Sequence, residues 1–177
     1  EGRRTIIIGD HNHDEVVGIA SQVKNATIIS SAEEARSLKK MKRAGVVSQS
    51  TQMIENVNEI LNILSEKIYD LRFVNTICHP TRRNHEQIKK LADTCDLMVV
   101  IGSYTSANSK RLTQLSLARN KNSFQVTCAD ELKKSWFSNI GSVGISAGAS
   151  TPDDLIADVI SKVKIFSKIK VKEEIYE

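Results

Sequence analysis

Three sets of side chains in this sequence could do chemistry, and each stands where an apolar run gives way to polar residues. His13 and Glu15 are two apart, so on a strand end or loop both can point into one cleft. There an imidazole can hold an anionic ligand and a carboxyl can pass a proton. The plainer alternative is a solvated loop in which Asp14 and Glu15 only favour a helix N-terminus, and spacing alone favours it. Cys78 follows Asn75-Thr76-Ile77 and precedes His79-Pro80-Thr81, which puts a thiol where strand becomes loop. A metal or cluster ligand belongs at such a place, yet a single cysteine is more often a small buried residue. Ser106, Asn108 and Ser150 are hydroxyl and amide donors in two turns of small residues, with Ser48 and Ser50 in a third. Helix capping explains any one of them; three such turns on one rim make an oxygen-rich ligand an equal reading.

The first of those turns organises the elements around it. The apolar run Leu97-Met98-Val99-Val100-Ile101 enters Gly102-Ser103-Tyr104-Thr105-Ser106-Ala107-Asn108-Ser109, and Lys110-Arg111-Leu112-Thr113-Gln114-Leu115 follows with a helical pattern. A buried strand running into a helix N-terminus presents backbone N–H groups to an anion. The end of the chain repeats the arrangement. Ser142-Val143-Gly144-Ile145 reads as a strand, Ser146-Ala147-Gly148-Ala149-Ser150 as a turn, and Thr151-Pro152-Asp153-Asp154 as a helix start with Thr151 as N-cap. On one parallel sheet both ends face the rim where open α/β sheets place ligands. Neither stretch matches a lysine-containing phosphate loop or a G-x-G-x-x-G fingerprint. The expected ligand is phosphorylated without having to be a nucleotide.

The remaining elements alternate. Strands are expected at residues 5–8, 25–30, 44–47, 72–75, 97–101, 123–126 and 141–145. Helices are expected at 15–23, 35–42, 53–64, 84–94, 106–119, 131–137 and 152–163. Ser31 and Glu34 form a capping-box start. This alternation implies an α/β protein with parallel sheets and right-handed crossovers. A break at residues 70–72 gives two similar small units of parallel sheet flanked by helices, 1–71 and 72–163, followed by a basic tail at 164–177.

Composition narrows the classes. The 177 residues are 40% apolar and 26% charged, with a formal charge of +4, which describes a core-forming chain. No run approaches the ~18 apolar residues of a membrane span and no signal peptide opens the sequence, so a cytoplasmic location is expected. Glu1 stands where an initiator Met would, and the first strand begins almost at once, so further chain is expected upstream. Aromatic residues make up 5%, with no basic-aromatic interleaving, so nucleic acid is not an expected partner. Lys162, Lys164, Lys168, Lys170 and Lys172 read as a solvated helix end or linker. Three widely spaced cysteines argue against a disulfide framework and fit neither a zinc motif nor a ferredoxin-type ligand run. Cys95 and Cys128 are expected to pack, and His79 and His85 to be exposed.

In chain order, His13-Asp14-Glu15-Val16-Val17-Gly18, Ser48-Gln49-Ser50-Thr51, Asn75-Thr76-Ile77-Cys78, residues 102–112 and Ser146-Ala147-Gly148-Ala149-Ser150-Thr151-Pro152-Asp153 together resemble one family. It is the 4-hydroxy-3-methylbut-2-enyl diphosphate reductase family, and the resemblance covers most of residues 5–163. It implies an iron-sulfur enzyme in which three similar α/β domains form a trefoil-like whole around a central cavity. Each domain gives one cysteine to a four-iron four-sulfur cluster. The implied reaction is reductive dehydroxylation of an allylic diphosphate to isopentenyl and dimethylallyl diphosphates, ending non-mevalonate isoprenoid biosynthesis.

By the same resemblance this chain holds the second and third domains, Cys78 is the last of the three cysteines, and the first domain and the other two cysteines precede Glu1. Glu15 is implied as proton donor and His13 as a ligand of the substrate diphosphate. Ser50 falls where the family usually has a threonine near the substrate, and Ser106, Asn108 and Ser150 are implied to cradle the diphosphate. Ala107 stands where some members carry a further serine, Asp14 replaces a proline, and Asn84-His85 replace an Arg-Gln pair. With no flavin or nicotinamide motif, a ferredoxin or flavodoxin is the implied electron donor. The isolated chain is expected to be inactive. The alternative is a non-redox module that binds phosphorylated ligands, or a structural module retaining the fold.

Overall fold

Ile6, Ile7 and Ile8 are fully buried, as an unbroken apolar strand must be when both faces of a parallel sheet are covered. In the computed structural model, which describes residues 2–167, they end β1 (Arg4–Ile8). β2 (Thr27–Ile29) and β3 (Met41–Ser48) flank β1, and β4 (Ile68–Phe73) lies outside β3, giving the order β2-β1-β3-β4 with every pair parallel. A second sheet takes the order β6-β5-β7, from β5 (Leu97–Ile101), β6 (Ser123–Val126) and β7 (Val143–Ala147), again all parallel. The helices are α1 (Asp14–Ser21), α2 (Ala32–Ser37), α3 (Ile54–Lys67), α4 (His79–Thr94), α5 (Ala107–Leu117) and α6 (Asp153–Ser167). Among the described residues no helix is long and apolar enough to cross a membrane. Lys168, Lys170 and Lys172 of the expected basic tail lie outside the described residues.

The chain divides into two units, Glu1–Arg82 and Arg83–Glu177, at a point inside α4. In the first unit Val57, Ile60 and Leu64 recur at helical spacing along α3 and are fully buried with Ile6, Ile8 and Val46. Each such side chain contributes about 1.5–3 kcal/mol through removal from water. In the second, Val159 and Val163 of α6 bury against Leu97, Val99 and Ile101.

Several expectations from local pattern are corrected by pairing and packing. Residues 41 and 42, expected to end a helix, open β3 instead, because Met41 pairs with Ile68 and Arg43 with Asp70. The strand expected at 72–75 runs instead at Ile68–Phe73 and follows α3 directly. The helix expected at 131–137 is two 3₁₀ turns, Ala129–Glu131 and Lys134–Phe137. There Trp136 stacks on Phe124 with centroids 4.0 Å apart. α4 starts at His79, with Pro80 in the first turn where a missing N–H is harmless. His85, expected to be exposed, is 4% exposed, one helical turn before the buried Ile88. Thr151 does not cap α6 with its side chain: its hydroxyl donates to Ile101 O (3.2 Å), and the Ile156 N–H bonds back to Pro152 O.

Asp96 fastens the entry of the second sheet. Its Oδ2 accepts from Gly141 N (2.8 Å), Ser142 N (2.9 Å) and Ser142 Oγ (3.1 Å), joining the starts of β5 and β7. The Gly141 N–H first, then the Ser142 hydroxyl and N–H, hold this carboxyl below its ordinary range. A carboxylate with a depressed pKa stabilises the fold above its unfolded-state pKa, and the benefit is lost as pH falls through the folded-state value. Asp96→Asn should therefore lower Tm at neutral pH, with the gap closing in acid. Thermal melts of both proteins across that range check this; a pH-independent gap would contradict it.

Candidate functional site

In the first unit the site begins with register. Ile8 pairs with Ser48, so the chain leaves β1 and β3 at the same edge. Gly9 must lack a side chain there, since a Cβ would lie 2.6 Å from Val16 Cγ2 and 3.0 Å from Gln49 Cβ. Gln49, fully buried, then ties the two exits together. Its N–H donates to Ile8 O (2.8 Å), its Oε1 accepts from Asp10 N (3.0 Å), and its Nε2 donates to Thr51 Oγ1 (3.0 Å).

Three expected residues meet on this frame. Glu15, in the first turn of α1, accepts from Ser50 N at Oε1 (2.7 Å) and from Ser50 Oγ at Oε2 (2.7 Å). Both carboxyl oxygens are thus aimed by one residue. His13 is the N-cap of α1, and its Nδ1 accepts from Glu15 N (3.3 Å). With Nδ1 an acceptor, the neutral ring carries its proton on Nε2, which remains available as a donor.

Cys78 joins the same group. Its N–H donates to Ser50 O (3.0 Å), so Ser50 receives Cys78 with its carbonyl while its N–H and hydroxyl hold Glu15. The stretch leading to Cys78 is anchored by Thr76, whose Oγ1 accepts from Ser48 N (2.8 Å) and donates to Ser48 O (2.5 Å). Cys78 is exposed, immediately before α4, and its Sγ is 2.7 Å from Thr81 Oγ1. Cys78 lies in the unit Glu1–Arg82, although the sequence placed it with residues 72–163.

The second unit carries the other group. Ile101 pairs with Ala147, so the turns after β5 and β7 leave adjacent strands at one edge, as the repeated pattern implied. The turn at Ser48 and Ser50, expected on the same rim, belongs to the other sheet. Ser106 is the N-cap of α5 and accepts from Ser109 N (3.3 Å). Asn108 Oδ1 is buried without a hydrogen-bond partner. Rotating the amide exchanges Oδ1 and Nδ2, so this buried position can offer an N–H donor to an anion. Ser150 is exposed in the second turn.

The first of these turns is braced by residues that sequence patterning missed. Gln125 Nε2 donates to Gly102 O (3.0 Å) and Ser103 O (3.1 Å), and its Oε1 accepts from Thr113 Oγ1 (3.0 Å). Tyr104 OH donates to Glu131 Oε2 (2.9 Å) and Gln125 O (3.2 Å). Burial first, and the Glu131 carboxylate second, push the phenol pKa up, so Tyr104 stays a donor. Gln49 stood inside a stretch noted only for its hydroxyls, and Gln125 carried no local signal. Cys95 and Cys128 are partly buried, and burial above all pushes the Cys95 thiol up. Among the described residues no group of three or more His, Cys, Asp or Glu side chains could hold a metal ion. Cys78, the expected cluster ligand, is thus a single exposed thiol among the described residues.

The family profile described as LytB protein matches residues 1–164. Curated relatives named 4-hydroxy-3-methylbut-2-enyl diphosphate reductase include one from Geobacter metallireducens, 38% identical over 170 residues, which cover 96% of this chain and 60% of the relative. One from Campylobacter jejuni is 41% identical over 167 residues, 94% of this chain and 60% of the relative. A solved structure described as (E)-4-hydroxy-3-methyl-but-2-enyl diphosphate reductase, the terminal enzyme of the non-mevalonate pathway, is 34% identical with a TM-score of 0.56, over 93% of this chain and 60% of its own. The E-1-hydroxy-2-methyl-but-2-enyl-4-diphosphate reductase of Plasmodium falciparum superposes with a TM-score of 0.87 over 99% of this chain and 59% of its own; at 22% identity it shows the fold alone. The chain spans about 60% of the length of the curated relatives it matches.

Exposure orders the three thiols. Brief alkylation of the folded chain at neutral pH should label Cys78 well before Cys95, read by peptide mass spectrometry; equal labelling would contradict the burial described above.

Proposed function

The chain belongs to the LytB protein family, and from that premise we propose that the protein is a 4-hydroxy-3-methylbut-2-enyl diphosphate reductase of which these residues form the second and third α/β domains. The observation that carries the reading is Ser50, which joins Glu15 and Cys78 in one hydrogen-bonded group. An acid and a thiolate on one rigid loop frame suit a reaction that needs protons and electrons at one place.

The reaction is balanced by two electrons and two protons. The allylic C–O bond breaks, the hydroxyl leaves as water after taking one proton, and the other proton completes a new C–H bond. A four-iron four-sulfur cluster, with Cys78 as one of its thiolates, supplies the electrons when bound, refilled singly by a ferredoxin or flavodoxin. Glu15 in its acid form delivers the proton. The Ser50 N–H keeps its oxygen acceptor, while the Ser50 hydroxyl can turn from donor to acceptor as the carboxyl gains or loses its proton. In the first unit His13 Nε2–H is a donor suited to the substrate diphosphate; in the second, Ser106, Asn108 and Ser150 are the donors suited to it. Ala107 contributes no side-chain bond to it.

Two experiments test the reading. In the complete protein, reconstituted anaerobically, Cys78→Ser should lower iron and sulfide content together with activity, while Cys95→Ser and Cys128→Ser should leave both near wild type. A full cluster in the Cys78 variant would remove that cysteine from the site. Replacing Ser106, Asn108 or Ser150 by Ala should each weaken substrate binding by roughly 1.5–3 kcal/mol, as charge-assisted hydrogen bonds do. Unchanged KM in all three would return them to capping.

A further inference from the structure

Ser109 lies on α5 one helical turn from Ser106, is 1% exposed, and reaches both turns of the second unit. A Cβ on Gly102 would lie 2.3 Å from its Oγ, and a Cβ on Gly148 would lie 2.5 Å from the same atom. Real side chains do not approach that closely, so one hydroxyl fills the room left by two missing side chains, one in each turn. Gly148 is in turn fixed to the end of β5, since its N–H donates to Ile101 O (2.9 Å) and its carbonyl accepts from Thr151 N (2.9 Å). On the other side the Ser109 N–H is held by Ser106 Oγ (3.3 Å). The atom that gauges the gap therefore belongs to the same helical turn as Ser106 and Asn108.

We infer that Ser109 is a positioning residue that sets the separation between the turn carrying Ser106 and Asn108 and the turn carrying Ser150. The inference rests on the proposal that these turns grip a diphosphate. Donors on two loops can hold one anion together only at one spacing, and that spacing depends on a hydroxyl at 109 with no side chain at 102 or 148. A methyl group on Gly148 must displace the second turn, move α5, or both.

Gly148 gives the cleaner probe. Gly102 has φ +154°, where any substitution is strained by its backbone alone. At Gly148 the obstacle is Ser109 Oγ, and once that atom is gone the Ser109 Cβ lies 3.7 Å from the new methyl, an ordinary contact. The test is calorimetric titration of the complete protein with inorganic diphosphate, with Tm measured in parallel, for wild type, Gly148→Ala, Ser109→Ala and the double variant. Gly148→Ala should bind roughly tenfold or more weakly, as misplaced binding groups do. The double variant should return to within about twofold of Ser109→Ala, the strongly non-additive result of a shared contact. If Gly148→Ala does not fold, recovery of a folded, binding protein in the double variant supports the same conclusion. Wild-type affinity in Gly148→Ala, or a double variant that regains Tm without regaining affinity, would overturn the positioning role and leave diphosphate binding intact. Absence of binding by the complete wild-type protein would remove the diphosphate reading itself, and this role with it.

Discussion

Every strand pair in both sheets is parallel, and the placement of the candidate residues depends on that constraint. A parallel pair cannot be closed by a tight turn, so each strand hands the chain to a crossover, and all strands of a sheet release it at the same edge. Ile8 beside Ser48 brings the loop of His13 and Glu15 to the loop of Ser50. Ile101 beside Ala147 brings the Ser106 turn to the Ser150 turn. Residues remote in sequence become neighbours because their strands are.

What register brings close, side-chain amides hold in place. Gln49 fixes the exits of β1 and β3, and Gln125 fixes the turn after β5, each through hydrogen bonds to main-chain groups of the loops it braces. A loop fastened in this way keeps its donors aimed before a ligand arrives, and donors that need not reorganise stabilise charge best. Ser50 extends the same economy: its N–H and hydroxyl orient Glu15 and its carbonyl orients Cys78. A change at Ser50 therefore acts on acid and thiol together.

The parts of the fold written in short-range pattern were legible in the sequence. The runs ending at Ile8 and Ile101 read as buried strands, and the spacing of Val57, Ile60 and Leu64 read as a helix face, because burial on those elements leaves a periodic record. Residues 41 and 42 were misread because the strand state of their segment comes from β4, more than twenty residues away. The 3₁₀ turns after β6 were misread because the Phe124 and Trp136 stack, not helical periodicity, sets their path. For the candidate site, residue types and strand-end positions raised Glu15, Ser50 and Cys78 as candidates, and the family resemblance supplied the roles expected of them. Their hydrogen bonds were not legible, since Ser50 meets Cys78 through main-chain atoms that look alike in every residue.

The most direct test of Glu15 as the proton donor is single turnover by the complete, cluster-loaded protein carrying Glu15→Gln. The amide keeps the shape of the side chain and can still face Ser50, but it cannot deliver a proton. Substrate affinity should stay within about twofold of wild type, while the chemical step slows by roughly 10²–10⁴-fold, the usual contribution of a general acid. A single-turnover rate near that of wild type, with substrate bound normally, would contradict the assignment of Glu15 as the proton donor.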